Sequence, residues 1–374
     1  MSEALRAAII GTGFMGTVHA QAVRATGNEV VGFVGTSAES AQAVADRFPG
    51  AAAATSLAQM LRHGVDVVHI CAPNDVHAIY AEEAINAGLH VICEKPLATS
   101  VDDATRLTRD ARARDLVTGV PFVYWFYPMV REIRSRVEAN ADDRLWLLHG
   151  SYLQDWLADP AASNWRVDPK RGGASRTFGD IGVHWCDLME FVTGQRITRL
   201  TARTANAFQR HGGETANLTE DGAVVLFETD QGALGSLVVS QASAGRRNRL
   251  WFSFDGPGSA YSFDQEHPEQ AWIGGPAQST VVDRAPVPGS STTRPFALPA
   301  GHPQGYQHCF NDFVADTYSA IRGAARAGRP EFVDGLRAAI ITSAVMESVE
   351  TQSWVDVPTL DDTLSHTRSL AAQR

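Results

Sequence analysis

The chain has 374 residues, 44% of them hydrophobic, 20% charged and 8% aromatic, which is enough for two domains with sizeable cores and excludes a disordered polymer. Its formal net charge of −10 sets an acidic surface against phosphate backbones and anionic lipid, so neither a nucleic-acid nor a membrane partner is expected. The predicted elements begin with Ala7–Ile10, an apolar run that reads as a buried strand, followed by a helix over Phe14–Thr26. A strand over Glu29–Val34 and a helix over Ala38–Phe48 come next. The alternation continues as strand Val65–Cys71, helix Asp75–Ala87, strand Leu89–Cys93 and helix Val101–Arg114. Strands alternating with helices imply right-handed crossovers, and continuous apolar strands imply a parallel sheet covered on both faces. This half is doubly wound α/β.

The texture changes after Val117–Pro121. Trp146–Tyr152, Ala223–Thr229, Ala233–Gln241, Leu250–Asp255 and Ser259–Phe263 are β-rich and closely spaced, as in an antiparallel meander. Helices are expected over about Gly179–Thr193, Gln307–Ala327 and Gly335–Thr351. Pro and Gly crowd Gly274–Gly305, which reads as a long surface excursion. The expected division is a doubly wound domain over 1–121 and a β-rich second domain over 122–374.

Met1–Ile10 lacks a secretory pattern, and the longest uncharged run, Leu116–Val130, is short for a bilayer and carries Pro121 and Pro128. Cys71, Cys93, Cys186 and Cys309 form no C-x-x-C pair, the pattern of reduced thiols in a cytoplasmic protein.

Gly11-Thr12-Gly13-Phe14-Met15-Gly16 stands between the first strand and the first helix, the context that turns a G-x-G-x-x-G into a dinucleotide fingerprint. The first glycine permits the turn, the second lets a pyrophosphate approach, and the third allows close helix packing. The second strand ordinarily ends near an acid that binds the adenosine ribose. Here Gly35 stands in its place, followed by Thr36 and Ser37, whose hydroxyls can donate to a 2′-phosphate. On this reading the cofactor is NADP or NAD, with NADP favoured, and Gly35→Asp is expected to shift preference towards NAD.

Lys95, in Glu94-Lys95-Pro96, follows the strand Leu89–Cys93 at the carboxyl edge where ligands bind in such sheets. Partial desolvation and a neighbouring nicotinamide cation suit it to base chemistry. If Gly179–Asp187 is helical, Asp180, His184 and Asp187 share one stripe, and a carboxylate beside an imidazole can bind a sugar diol and exchange its proton. No third ligand supports a metal.

These motifs, with Ala72-Pro73-Asn74-Asp75-Val76-His77, resemble the glucose–fructose oxidoreductase / inositol dehydrogenase / MocA family over essentially the whole chain. Tyr152-Leu153-Gln154-Asp155-Trp156, Asn164-Trp165-Arg166 and Ser353–Pro358 are similar to its levoglucosan dehydrogenase branch. The resemblance implies a Rossmann domain, then an α+β domain whose large open antiparallel sheet mediates a homodimer or homotetramer. It implies hydride transfer between a sugar or cyclitol carbon and nicotinamide, with Lys95, Asp180 and His184 at the reacting hydroxyl and a cis Lys95–Pro96 peptide. Gly11, Gly13, Phe14, Met15, Gly16, Thr36, Ser37, Pro73, Asn74, His77, Glu94 and Lys95 would hold the cofactor. Tyr124, Gln154, Trp165, Arg166 and His302 would meet the substrate. Where many members carry Asn-Tyr-Arg, this chain reads Val123-Tyr124-Trp125, and Trp125 is either a sugar-stacking face or core.

The resulting expectation is a sugar, anhydrosugar, glycoside or cyclitol dehydrogenase. Its rivals are a glycoside hydrolase working by transient oxidation and a dinucleotide-sensing regulator without catalysis.

Overall fold

The computed structural model describes residues 3–162, 164–208, 219–284, 298–299, 301–324 and 328–371. The chain divides into two compact units: Met1–Val123 with Tyr306–Ala339 and Leu364–Arg374, and Tyr124–Gly305 with Ile340–Thr363. A single cut at 121/122 was expected, yet two later stretches return to the first unit. The physical reason is a helix that the first sheet needs as cover, described next.

The first unit holds six parallel strands: β1 (Arg6–Ile10), β2 (Glu29–Val34), β3 (Ala52–Ala54), β4 (Val67–Ile70), β5 (His90–Cys93) and β6 (Thr118–Gly119). Their spatial order is β3-β2-β1-β4-β5-β6. The order reverses between β1 and β4, which opens a crevice at the carboxyl ends of those strands. Helices α1 (Phe14–Ala25), α2 (Ala38–Ala45), α3 (Leu57–Met60), α4 (His77–Asn86) and α5 (Val101–Ala113) form the crossovers. Ile9, Phe33, Val68, Ile70, Val91 and Ile92 are fully buried, as a sheet covered on both faces requires. Ser37 and Ser100 cap α2 and α5 by accepting the amides of Ser40 and Asp103, which explains the abrupt starts of both helices.

In the second unit α6 (Pro128–Ala139), α7 (Pro169–Gly172) and α8 (Val183–Thr193) accompany a nine-stranded sheet. Its strands are β7 (Leu147–Leu153), β8 (Ile197–Ala205), β9 (Gly222–Thr229), β10 (Leu234–Ser240), β11 (Arg249–Asp255), β12 (Ala260–Asp264), β13 (Gln270–Gly274), β14 (Ser279–Asp283) and β15 (Val355–Asp356). The order is β14-β13-β12-β11-β7-β10-β9-β8-β15. Only the β7–β10 pair is parallel among these described neighbours, so the sheet is mostly antiparallel and not a plain meander.

The alternation of this sheet is regular. Ala223, Val225 and Phe227 of β9 are buried while Val224 and Leu226 are exposed, and Leu237 and Val239 of β10 are buried while Leu234 and Val238 are exposed. One face carries the core, where Phe252 stacks on Phe254 at 4.2 Å and Trp185 of α8 donates its indole N–H to the Trp251 carbonyl. The other face is open and apolar.

The chain then supplies α9 (Tyr306–Ile321), which packs on α1 in the first unit, with Phe310 against His19, and buries Cys309, Phe310, Phe313, Val314 and Tyr318. That i, i+1, i+4, i+5 stripe is an amphipathic face, and without it the outer side of α1 would be bare. α10 (Phe332–Thr351) and α11 (Leu360–Ala371) complete the fold.

Of the expected surface excursion over Gly274–Gly305, residues 279–283 form β14, whereas 285–297 and 300 lie outside the described residues. The expected helix over Gln307–Ala327 ends at Ile321, and 325–327 also lie outside them. The expected helix over Ala38–Phe48 stops at Ala45.

Candidate active site

Each unit carries some of the residues expected at the site. In the first, β1 runs into Gly11, whose φ of +114° is open to glycine, and whose amide donates to the Val34 carbonyl at 2.9 Å. A Cβ at Gly11 would stand 2.4 Å from the Cys71 carbonyl oxygen, and one at Gly16 would stand 2.2 Å from that of Gly11. A Cβ at Gly13 would meet nothing within 4 Å, so the turn is tight inside and open outside.

Gly13 is the N-cap of α1, with no side-chain cap and no acidic residue in the first turn. Uncapped amides at a positive helix end suit an anion, and the open side at Gly13 gives a pyrophosphate room to approach. The residues present therefore fit a dinucleotide. Phe14, 74% exposed, stands at this mouth with Met15.

At the end of β2, a Cβ on Gly35 would lie 2.6 Å from Ser40 Oγ and 2.9 Å from the Ala41 amide. Glycine is thus required by the close approach of α2, whatever the cofactor. Gly35→Asp would therefore press on α2 as well as alter the ribose contact. Thr36 and Ser37 are exposed at the same turn, although Ser37 Oγ already accepts the Ser40 amide at 3.1 Å.

Two further turns border this half. Ala72, Pro73 and Asn74 follow β4, and Glu94, Lys95 and Pro96 follow β5, with Lys95–Pro96 cis as expected. His77 is buried, its ring nitrogens 2.7 Å from the Pro96 carbonyl and 2.8 Å from that of Ala72. Expected as a direct cofactor contact, it instead ties the two turns together. Burial lowers its pKa while the two carbonyls pull the other way. Glu94 is buried too; it faces His19 Nε2 at 3.1 Å and accepts the backbone N–H of Lys95 at 3.2 Å. Lys95 is half-buried at the rim.

In the second unit, one turn of π-helix over Phe178–Gly182 leads into α8. Such turns are rare and recur at functional sites. Its start is pinned from within by buried Glu220, which accepts Ser175 Oγ at 2.7 Å, the Phe178 amide at 2.9 Å and the Arg176 amide at 3.1 Å. The Arg176 guanidinium, itself buried, bonds the Glu220 carbonyl and the Asp221 carboxylate. Asp180 stands in the π turn and His184 in the first turn of α8, so the expected straight stripe with Asp187 is broken. Asp187 accepts the Trp125 indole N–H at 2.5 Å instead, and Trp125 stacks on Phe191 at 4.1 Å. Trp125 is core.

Asp180 Oδ2 accepts Gln241 Nε2 at 2.7 Å, and its Oδ1 lies 3.6 Å from Arg166 Nε. The Arg166 guanidinium lies over the Trp165 ring, 4.4 Å from its centroid. Nearby, the buried His184 ring meets Tyr124 edge-on at 5.2 Å and Tyr152 at 6.4 Å. The two phenols share a 2.5 Å bond, Tyr152 donates to Asn248 Oδ1 at 2.8 Å, and Asn248 Nδ2 donates to Tyr124 at 3.2 Å. Gln154 joins through Asn248 Oδ1 at 2.7 Å.

Of the residues expected at the substrate, Tyr124, Trp165 and Arg166 thus adjoin Asp180 or His184 directly or through one partner, and Gln154 through two, Asn248 and a tyrosine. His302 is exposed and turned onto the Pro299 carbonyl at 3.2 Å. Gln241, Asn248 and Tyr152 complete the cluster; of these, Tyr152 stood in a quoted motif, while Gln241 and Asn248 carried no local signal.

Residues 5–122 match the oxidoreductase family with NAD-binding Rossmann fold, and residues 130–256 match the GFO/IDH/MocA C-terminal domain. Levoglucosan dehydrogenase of Pseudarthrobacter phenanthrenivorans is 28% identical over 323 residues, covering 79% of this chain and 80% of that protein. Inositol 2-dehydrogenase of Rhizobium meliloti is 26% identical over 372 residues, covering 94% and 99%. A solved levoglucosan dehydrogenase in complex with NADH and L-sorbose superposes with a TM-score of 0.87 at 27% identity, over 96% of this chain and 100% of that one. Glycine cradle, Lys95 turn, Asp180–His184 helix and open sheet together agree with these matches: the chain is a member of the Gfo/Idh/MocA oxidoreductase family, with a Rossmann domain and a C-terminal sheet domain.

Proposed function

We propose that the protein oxidises a secondary alcohol of a sugar, anhydrosugar, glycoside or cyclitol, reversibly, with a nicotinamide dinucleotide. The observation that carries this reading is a polar set built for a polyol, Asp180 oriented by Gln241 and Arg166 and followed one turn later by His184 under two tyrosines. The dinucleotide, held by Gly11–Gly16, Pro73, Asn74 and the Lys95 turn, supplies the hydride acceptor when bound. Asp180 binds the hydroxyl next to the reacting one. His184 or Lys95 takes the carbinol proton as the carbon is oxidised, and the phenols of Tyr124 and Tyr152 hold the imidazole in orientation. A sensor needs no such acid/base set, and the named relatives are sugar and cyclitol dehydrogenases, which supports the same conclusion.

The relative bound to NADH supports NAD, whereas exposed Thr36 and Ser37 are the groups that would meet the 2′-phosphate of NADP. Glu39 in the first turn of α2 opposes that phosphate. On the same reading the free cysteines serve a reducing, cytoplasmic setting, and a second copy of the chain covers the open sheet face.

The test is a screen of NAD and NADP against monosaccharides, inositols and levoglucosan, followed at the nicotinamide absorbance. Reduction with at least one polyol is expected. Aglycone release from a glycoside without net reduction would identify the hydrolase instead, and tight dinucleotide binding with no turnover the sensor.

A further inference from the structure

Beneath the Lys95 turn, four buried polar side chains from four elements form a continuous chain that the mechanism above does not use. Tyr318 of α9 lies 2.8 Å from His69 Nε2 on β4. His69 Nδ1 lies 2.9 Å from His19 Nδ1 on α1, and His19 Nε2 lies 3.1 Å from Glu94 Oε1 after β5. Tyr318, His69 and His19 are each 0% exposed and Glu94 is 7% exposed. We propose that His19 is a positioning residue for Lys95, holding the Glu94 carboxylate that in turn fixes the Lys95 backbone, and that Tyr318 and His69 set the tautomer in which His19 does so. The inference rests on the dehydrogenase reading for the work Lys95 performs.

The direction of the chain follows from counting protons. Two Nδ1 atoms at hydrogen-bond distance share a single proton, so one ring donates and the other accepts. Tyr318 keeps its phenolic proton, since burial raises its pKa well above the ordinary value, and burial likewise keeps His69 neutral. In the proposed direction Tyr318 donates to His69 Nε2, which leaves the His69 proton on Nδ1. His19 must accept it there, which places its own proton on Nε2, facing Glu94. In this arrangement each donor of the chain meets an acceptor, and the Glu94 carboxylate closes it.

Reversing the chain requires a proton on Glu94 or a doubly protonated His19. The other carboxylate oxygen of Glu94 accepts the Lys95 amide at 3.2 Å, so the chain ends on the backbone of the residue that acts. Packing fixes the donor ring as well. His19 meets His69 edge-on at 5.2 Å and Phe310 at 4.9 Å, and it sits one turn after Gly16 on the helix that opens the dinucleotide cradle.

Three variants separate positioning from simple core filling. His19→Phe keeps the ring volume without the donor, His19→Gln keeps a donor, and Tyr318→Phe removes one oxygen at the far end. Misplacing an acting group by about 1 Å costs on the order of 10²-fold, so His19→Phe is expected to lower kcat by about 10–10²-fold with KM changed less than about threefold. His19→Gln should recover much of that loss, and Tyr318→Phe should fall between. Hydrogen exchange at the Lys95 amide, which needs no turnover, should quicken in His19→Phe and Tyr318→Phe and stay near parental in His19→Gln.

Parental kcat and parental Lys95 exchange in His19→Phe would overturn the proposal. If that variant does not fold, unchanged exchange in Tyr318→Phe overturns it equally. Lys95→Met in the same assay keeps the two readings apart. Undiminished turnover there defeats the dehydrogenase mechanism, while an inactive Lys95→Met beside a fully parental Tyr318→Phe defeats the positioning alone. Should no polyol be turned over by the parent, the exchange result decides by itself.

Discussion

Lys95, His184 and Asp180 do different work under the proposed mechanism, and kinetics can tell them apart. Lys95→Met keeps the stem and removes charge and donors, so kcat should fall by about 10²–10⁴-fold, the ordinary worth of a positioned acid or base. His184→Asn should also lower kcat, and the larger of the two losses marks the group that takes the proton. Asp180→Ala should raise KM more than it lowers kcat, because Gln241 and Arg166 hold its carboxylate as a binding group. Dinucleotide affinity, measured by titration, should change little in all three. A second residue-scale consequence concerns pH. Burial, and then the neighbouring His19 ring, hold the His69 pKa well below its ordinary 6.5. The unfolded chain therefore binds a proton below about pH 6.5 that the folded one refuses, and stability falls as the pH drops from there towards the folded pKa. Thermal melts of His69→Phe and the parent between pH 7.5 and 5 should show a shallower decline in the variant; parallel curves would count against it.

At the scale of elements, the β2–α2 turn is where the proposed cofactor choice can be tested, and Thr36 is a better position for it than Gly35. Gly35 has no room for a side chain, whereas Thr36 is exposed beside it. Thr36→Asp should suppress any use of NADP through repulsion of the 2′-phosphate while sparing NAD, read as the ratio of kcat/KM for the two dinucleotides. An unchanged ratio would place the ribose contact elsewhere.

The elements also show what a single sequence can carry. β1, β2, β4 and β5 were legible to within a residue or two because parallel strands buried on both faces are unbroken apolar runs. β3 is three alanines without β-branching, and β8 interleaves Thr and Arg with its apolar residues, so neither stood out. α6 begins at Pro128 in a stretch read as uncharged texture, although Pro at the first helical position is a helix start. Site residues divide in the same way. Lys95, Asp180 and His184 sit in local motifs, whereas Asn248 meets Tyr124 across 124 positions and His69 meets Tyr318 across 249. Contacts of that span leave no mark on neighbouring residues, and only the topology creates them.

The whole molecule presents one apolar sheet face and one chain path that bear on its life in solution. Val224 and Val238 are direct cross-strand partners, Leu226 lies one pleat away, and all three are about half exposed. Neighbouring exposed apolar side chains of this kind are a candidate contact for a second copy of the chain. Leu226→Glu with Val238→Glu should shift sedimentation from the expected dimer or tetramer towards monomer without altering the fold seen by circular dichroism. A parent that already sediments as a monomer would remove the assembly proposal.

The path of the chain has a consequence for synthesis. The first unit takes α1 from the start of the sequence and its cover, α9, from Tyr306–Ile321. A ribosome adding about 5–20 residues per second needs on the order of 10–35 s to make the intervening residues 124–305. Throughout that interval the nascent first unit lacks the helix that packs on α1, and His69 lacks its Tyr318 partner. The amino-terminal part of the first unit therefore stays incomplete, with apolar surface of α1 uncovered, until α9 has been made.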